Sequence, residues 1–314
     1  VTAPPAGQRA PAGESTEDEV LWASGPPVPG SIAFHDRRSH LLTGGRAVAA
    51  SSISTVVVIA ALVALFVFAP GSVRVRTAFF SPTHMWRSLV GDPAEGTFSV
   101  GKAFVLNIEM FLAAEALILV CALAVALLRQ SRGPVLLPLR VVATIYTDVF
   151  RGVPLLLVVY AIGFGVPALY LRGISDQPSY VYGVMALVLC YSAYVSEVYR
   201  AGLNAVPPSQ VAAARSLGLS RPKALRFVVL PQAVRTVVPP LLNDAISLQK
   251  DTALVAVLGA IEANRAAGIY ASTVFNYSSF TMAAILFLLI TIPLTRLTDR
   301  LIARDRARRL AGAR

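Results

Sequence analysis

The sequence predicts an all-α polytopic membrane protein with about six transmembrane helices and both termini on the cytoplasmic side. Three observations carry this reading. Hydrophobic residues make up 55% of the 314 positions and charged residues only 14%, whereas soluble domains carry about 25% charged residues. The apolar residues gather in runs long enough to cross a bilayer. The Lys and Arg residues, which give a net charge of +11, fall mostly between those runs and mostly on one side.

Residues 1–46 are rich in Pro, Gly, Ala and Ser, with an acidic cluster at Glu14, Glu17, Asp18 and Glu19. They lack apolar periodicity and read as a disordered cytoplasmic tail. Residues 47–70 form an extra N-terminal span: an uninterrupted apolar run ends at Pro70, and Arg37, Arg38 and Arg46 precede it. Residues 71–103 have mixed charge and aromatic side chains, and are expected as an extracytoplasmic loop with an interfacial stretch around Phe79 and Trp86. The second span covers residues 104–128 and contains Glu109 and Glu115. Pro134 and Pro138 then break the helix. The third span begins at about Thr147 or Val153 and ends at Leu171. The fourth covers 182–201, the fifth 237–258 and the sixth 280–301. A loop of about twenty residues joins the last two. Residues 302–314 form a basic cytoplasmic tail.

Of the 28 Lys and Arg residues, 21 fall in the N-tail, the loop after the second span, the stretch from Arg200 to Arg235 and the C-terminal end. Six lie opposite: Arg74, Arg76, Arg87, Lys102, Arg172 and Arg265. Lys250 is inside a span. This asymmetry orients the chain and accounts for the positive charge without nucleic acid. Cys121 and Cys190 sit in apolar runs, and His35, His40 and His84 are isolated. This spacing suits neither a disulfide framework nor a metal site. The chain has no nucleophile–base constellation and no phosphate loop of the GxxxxGK[ST] type. It is therefore read as unable to hydrolyse ATP by itself, not as an enzyme, and with no cofactor of its own.

The stretch over 203–235 is polar and basic between apolar neighbours. Pro207 and Pro208 end the fourth-span helix, and Ser209 is placed to cap a new one over 210–217. Gly218 ends that helix by adopting positive φ. Ser220 caps a second helix, with Pro222 tolerated in its first turn. That helix carries Leu225, Arg226 and Val228 before Pro231. Two short helices bent at a glycine suit insertion into a groove of another protein. An amphipathic hinge on anionic lipid remains the alternative.

These residues resemble a family. Ala213-Ala214-Arg215-Ser216-Leu217-Gly218, nine further residues, then Val228-Val229-Leu230-Pro231 looks like the EAA loop of ABC importer permeases. The flanks resemble the histidine/glutamine-type, polar amino acid subfamily. They are Val149-Phe150-Arg151-Gly152-Val153-Pro154, Ser196-Glu197-Val198-Tyr199-Arg200-Ala201-Gly202, Leu230-Pro231-Gln232-Ala233-Val234-Arg235 and Leu248-Gln249-Lys250-Asp251-Thr252-Ala253-Leu254. The resemblance covers about 104–301. It implies a type I importer permease fold over the last five spans, in a bacterial cytoplasmic membrane. It also implies a separate ATPase dimer using ATP and Mg, a second permease subunit, an extracytoplasmic solute-binding protein and alternating access. Carried over, the docking loop would use Ala212, Ala213, Ala214, Arg215, Gly218, Ser220, Leu230 and Pro231. Ala212 departs from the pattern, which has an acid there.

Charged groups inside a span cost about 2.5–3.5 kcal/mol each on insertion scales. Asp244, Gln249, Lys250 and Asp251, with Glu197, are therefore candidates for a translocation path. Asp244 and Asp251 are seven apart and share a helix face. A structural polar network between helices explains the same residues equally well. Two other functions remain: a self-contained secondary transporter or channel coupled through the acidic residues, and a membrane scaffold with a basic surface.

Overall fold

The computed structural model describes residues 45–131 and 133–311. The expected tail over 1–44 lies outside the described residues. The described residues form two units, 45–69 and 70–311. In the first unit α1 (Gly45–Phe68) is apolar enough to cross a membrane.

The second unit begins with two short helices, α2 (Ser72–Phe79) and α3 (Pro82–Val90), where the sequence suggested a loop. α4 (Val100–Gln130) follows, starting four residues before the expected boundary because Ser99 caps it by accepting from Lys102 N at 3.0 Å. α5 (Leu137–Gly152) and α6 (Leu155–Gly165) come next. Then come α7 (Ser179–Asn204), α8 (Pro208–Ser216), α9 (Arg221–Ala224) and α10 (Leu230–Asp251). The chain closes with α11 (Ala263–Val274) and α12 (Ser278–Ala311).

Five helices among the described residues pass as membrane spans, and a sixth crossing is possible if α5 and α6 count as one broken element, bent by 111°. The third span was expected from about 147 or 153 to 171. The element starts at Leu137. It breaks at 152–154 because Pro154 has no N–H and disfavours helical geometry at Val153. The loop between the last two spans is also helical, as α11, and α12 continues past 301 into the expected tail.

Small residues let the helices approach, as is usual where lipid supplies no hydrophobic drive between them. On α4, Ala114, Ile118 and Ala122 recur at i, i+4 and i+8, are buried, and pack with Leu187, Tyr191 and Val195 of α7 and Leu248 of α10. Ala263, Ala266 and Ala267 of α11 meet Val100, Ala103 and Phe104 of α4. Gly202 of α7 lies so close to α10 that a Cβ there would sit 2.0 Å from Val237 Cγ2. α7 thus stands at the centre, against α4, α5, α6 and α10.

Candidate functional site

α8 begins on the proline pair itself, not at Ser209. Pro207 is extended (φ −58°, ψ 135°), and Pro208 occupies the first turn, where its missing N–H is no loss. The helix ends as a Schellman turn. Leu219 N donates to Ala214 O at 3.2 Å, Gly218 N donates to Arg215 O at 3.0 Å, and Gly218 has φ 84°. Ser220 precedes α9 in extended geometry, but its hydroxyl makes no capping bond. Ala214 and Ala224 point inward and are buried. Ala212, Ala213, Arg215, Gly218, Ser220, Leu230 and Pro231 are exposed, as are Leu217 at 85% and Phe227 at 64%. The Arg226 guanidinium lies 5.7 Å from the Phe227 ring centre. Gln232 Nε2 donates to Gln210 Oε1 at 2.7 Å and to Val228 O at 2.9 Å, tying α8 to α10. The result is a basic and apolar surface on a small buried alanine base.

Pro231 does not end this segment, contrary to the sequence reading. It sits in the first turn of α10, where a proline is tolerated. A π turn over Leu225–Val229 connects α9 to α10 without a break. The fifth-span helix therefore starts at Leu230 rather than 237, and the helical run from Arg221 to Leu258 spans 38 residues.

The predicted intramembrane residues divide into separate places. Glu197 is the hub of an ion cluster. It pairs with Arg129 of α4 and accepts from Arg200 Nε at 2.9 Å and Nη2 at 2.7 Å. Arg151 Nη1 stands 3.8 Å from it. Glu197 and Asp244 line one cavity of about 340 Å³, together with Arg151, Tyr194, Thr236 and Pro240. Asp244 Oδ2 is buried there without a hydrogen-bond partner among the described residues. Asp251 instead accepts from Tyr191 OH at 2.6 Å. Lys250 is exposed and forms no salt bridge among the described residues, with Asp251 or otherwise.

Gln249 belongs to a buried polar knot at the far end of α10. Its Oε1 accepts from Thr291 Oγ1 of α12 at 3.0 Å. Thr252 Oγ1 donates to Gln249 O at 2.7 Å and accepts from Asn107 Nδ2 of α4 at 3.1 Å. Asn107 also donates to Glu262 Oε2 at 2.9 Å and accepts from Ala263 N at 3.0 Å. Glu262 caps α11 by accepting from Asn264 N at 2.9 Å and Arg265 N at 2.7 Å. Asn107, Thr252 and Glu262 are all 0% exposed. Burial pushes the Glu262 carboxyl above the usual carboxylate range, although three N–H donors favour its charged form.

Residues 136–306 match the model of a family described as binding-protein-dependent transport system inner membrane component. That covers more than half of the chain. The chain belongs to this family. It is a multi-pass membrane transport component. It is similar to a probable glutamine ABC transporter permease protein of Bacillus subtilis, 33% identical over 177 residues, 56% of this chain and 79% of the relative. It is also similar to a nopaline transport system permease protein of Agrobacterium fabrum, 37% identical over 163 residues, 49% of this chain and 69% of the relative. A crystal structure of an amino acid ABC transporter with histidines superposes with a TM-score of 0.60 at 31% identity, covering 65% of this chain and 93% of the other. An inward-facing methionine ABC transporter shares the fold, with a TM-score of 0.53 at 16% identity, covering 72% and 99%.

Sequence reasoning missed several polar residues of this transport component. Asn107 and Thr291 were hidden as single polar positions in long apolar runs. Glu262 was counted as part of a loop. The available signal was the cost of a polar group inside a span, which singles out Asn107 as it did Glu115. Arg129 as the partner of Glu197 carried no signal, because 68 residues separate them.

Proposed function

We propose that this chain is the membrane permease subunit of an importer for polar amino acids, driven by a separate ATPase that docks on the 203–235 loop. The observation that carries this reading is the glycine-bent pair α8–α9, exposed on one face and continuous with the fifth-span helix. Such a surface can receive a push and pass it to a rigid element that crosses the membrane. The names of the relatives support amino acids as the solute class. The 203–235 loop faces the cytoplasm in this reading, supported by the Lys and Arg distribution. A second permease subunit and a binding protein on the opposite face complete the assembly.

The cavity between α5, α7 and α10 is the proposed resting place of the solute along its path. It lies within the roughly 300–1,000 Å³ range of small-molecule sites. Asp244 offers an unpartnered carboxylate oxygen to an ammonium or guanidinium. Arg151, a little under half exposed, offers a guanidinium to a carboxylate. Glu197 is occupied by its arginines and shapes the wall rather than holding the solute.

Uptake of radiolabelled amino acids by cells with and without this chain tests the solute class. If no amino acid differs, the class is wrong. Pull-down of an ATPase with the intact chain, lost on Arg215→Glu, tests the docking. Transport by the chain alone in liposomes without ATP overturns the reading in favour of a secondary transporter.

A further inference from the structure

The docking surface and the fifth span are one rod. From Arg221 to Leu258 the chain is helical throughout, through the π turn at Leu225–Val229 and the 3₁₀ turn at Thr252–Leu258. The two ends are held differently. Near the loop α10 is held on one side only: Ala233 and Val237 are buried against α7, while Leu230, Val234 and Val238 are 47%, 48% and 37% exposed. At the other end Leu248, Gln249, Thr252 and Val255 are sealed at 1% or less.

We propose that the knot of Asn107, Thr252, Glu262 and Gln249 is the pivot of a lever, and that its hydrogen bonds convert displacement of the docking end into movement at Asp244. This rests on the ATPase-driven reading above. Thr252 ties the rod to α4 through Asn107, and Gln249 ties it to α12 through Thr291. Asn107 in turn holds the start of α11 through Ala263 N and Glu262. Two helices, α4 and α12, thus grip the rod within one turn of its length, and α4 holds the start of α11 at the same level. Such a grip resists sliding along the axis but permits tilt, because all its bonds are gathered at one level. At 1.5 Å per residue, Arg221 lies about 46 Å from Thr252 and Asp244 about 12 Å. A tilt that moves the dock by several ångströms therefore moves Asp244 by roughly a quarter as much, the scale on which packed helices shift. Gln249 Nε2 is buried without a partner among the described residues, so this joint holds a donor that another arrangement can satisfy.

Asn107, Thr252 and Glu262 are positioning residues in this scheme. The test measures solute taken up per ATP hydrolysed by the full reconstituted complex. Thr252→Val keeps the shape and removes the hydroxyl. The expected result is a fall in that ratio of about tenfold, the scale of one or two lost hydrogen bonds, with the ATPase still bound and still hydrolysing ATP. Thr252→Ser restores the ratio. An unchanged ratio in Thr252→Val overturns the pivot. So does a proportional fall of uptake and hydrolysis, which marks a merely structural role. If Thr252→Val does not assemble, Glu262→Gln is measured in the same way with the same two outcomes. A wild-type complex that binds no ATPase overturns the proposed function instead, and is distinguishable from both.

Discussion

The two ends of the long helical rod are built on opposite principles. At the docking end a local motif does the shaping: the Schellman bonds of α8 span three and five residues, and the surface they present is exposed, apolar and basic. At the far end, contacts across 145 and 155 residues gather side chains that water does not reach. A local motif keeps its form when its outer side chains change, so it can present a surface for another protein. A buried polar knot is sensitive to change, because a lost partner costs about 1–3 kcal/mol. The docking end is thus free to be specific, and the far end is constrained to be rigid.

The sharpest way to break this contrast is at Gly218. Proline fixes φ near −65° where the turn needs 84°. Gly218→Pro is expected to abolish ATPase co-purification while the melting temperature of the purified chain stays nearly constant. Asn107→Leu should do the reverse in kind. It takes one donor from Glu262 and one from Thr252 and strands the N–H of Ala263, and is expected to destabilise the chain by about 3 kcal/mol in a denaturation measurement. Between the ends, Gly202→Ala pushes a methyl into Val237, with an expected loss of about 1–3 kcal/mol and wider separation of α7 and α10 by cross-linking. Gln232→Ala removes the bridge to Gln210. It is expected to cost about 1 kcal/mol and to speed proteolysis of the loop.

The smallest expected effect is a pH dependence. Burial raises the Glu262 carboxyl above its ordinary value of 4.5, so the folded chain holds this proton more tightly than the unfolded one. The contribution to stability is full below the unfolded value and is lost as pH rises through the raised folded value. As pH rises above about 4.5, the melting temperature of wild type should therefore fall more steeply than that of Glu262→Gln.

The spans at 100–130, 179–204 and 278–304 were legible in the sequence, because twenty apolar residues in a row have one common solution in a bilayer. So was the turn at Gly218, since glycine is the residue suited to end a helix with positive φ. The start of α10 was not. Pro231 read as the close of the loop segment, yet it lies within α10, as do Pro239 and Pro240. Pro231 needs no N–H in a first turn, and neighbouring helices can satisfy backbone groups freed deeper in a span. The 111° break between α5 and α6 was missed for the converse reason. Gly152 and Pro154 were visible, but an apolar run on both sides concealed the change of direction.

By itself the sequence determined that this is a helical membrane protein, where its basic residues lie and which loop bends at a glycine. Each of these follows from neighbours along the chain, where hydropathy, charge and backbone freedom act directly. Only the tertiary structure decided which polar groups meet. Glu197 drew in three arginines, Asp251 took the hydroxyl of Tyr191, and Asp244 kept an oxygen without a partner among the described residues, beside a cavity. These three carboxylates look alike in an apolar run. They differ because a buried charge takes its character from the donors that folding brings within hydrogen-bond reach.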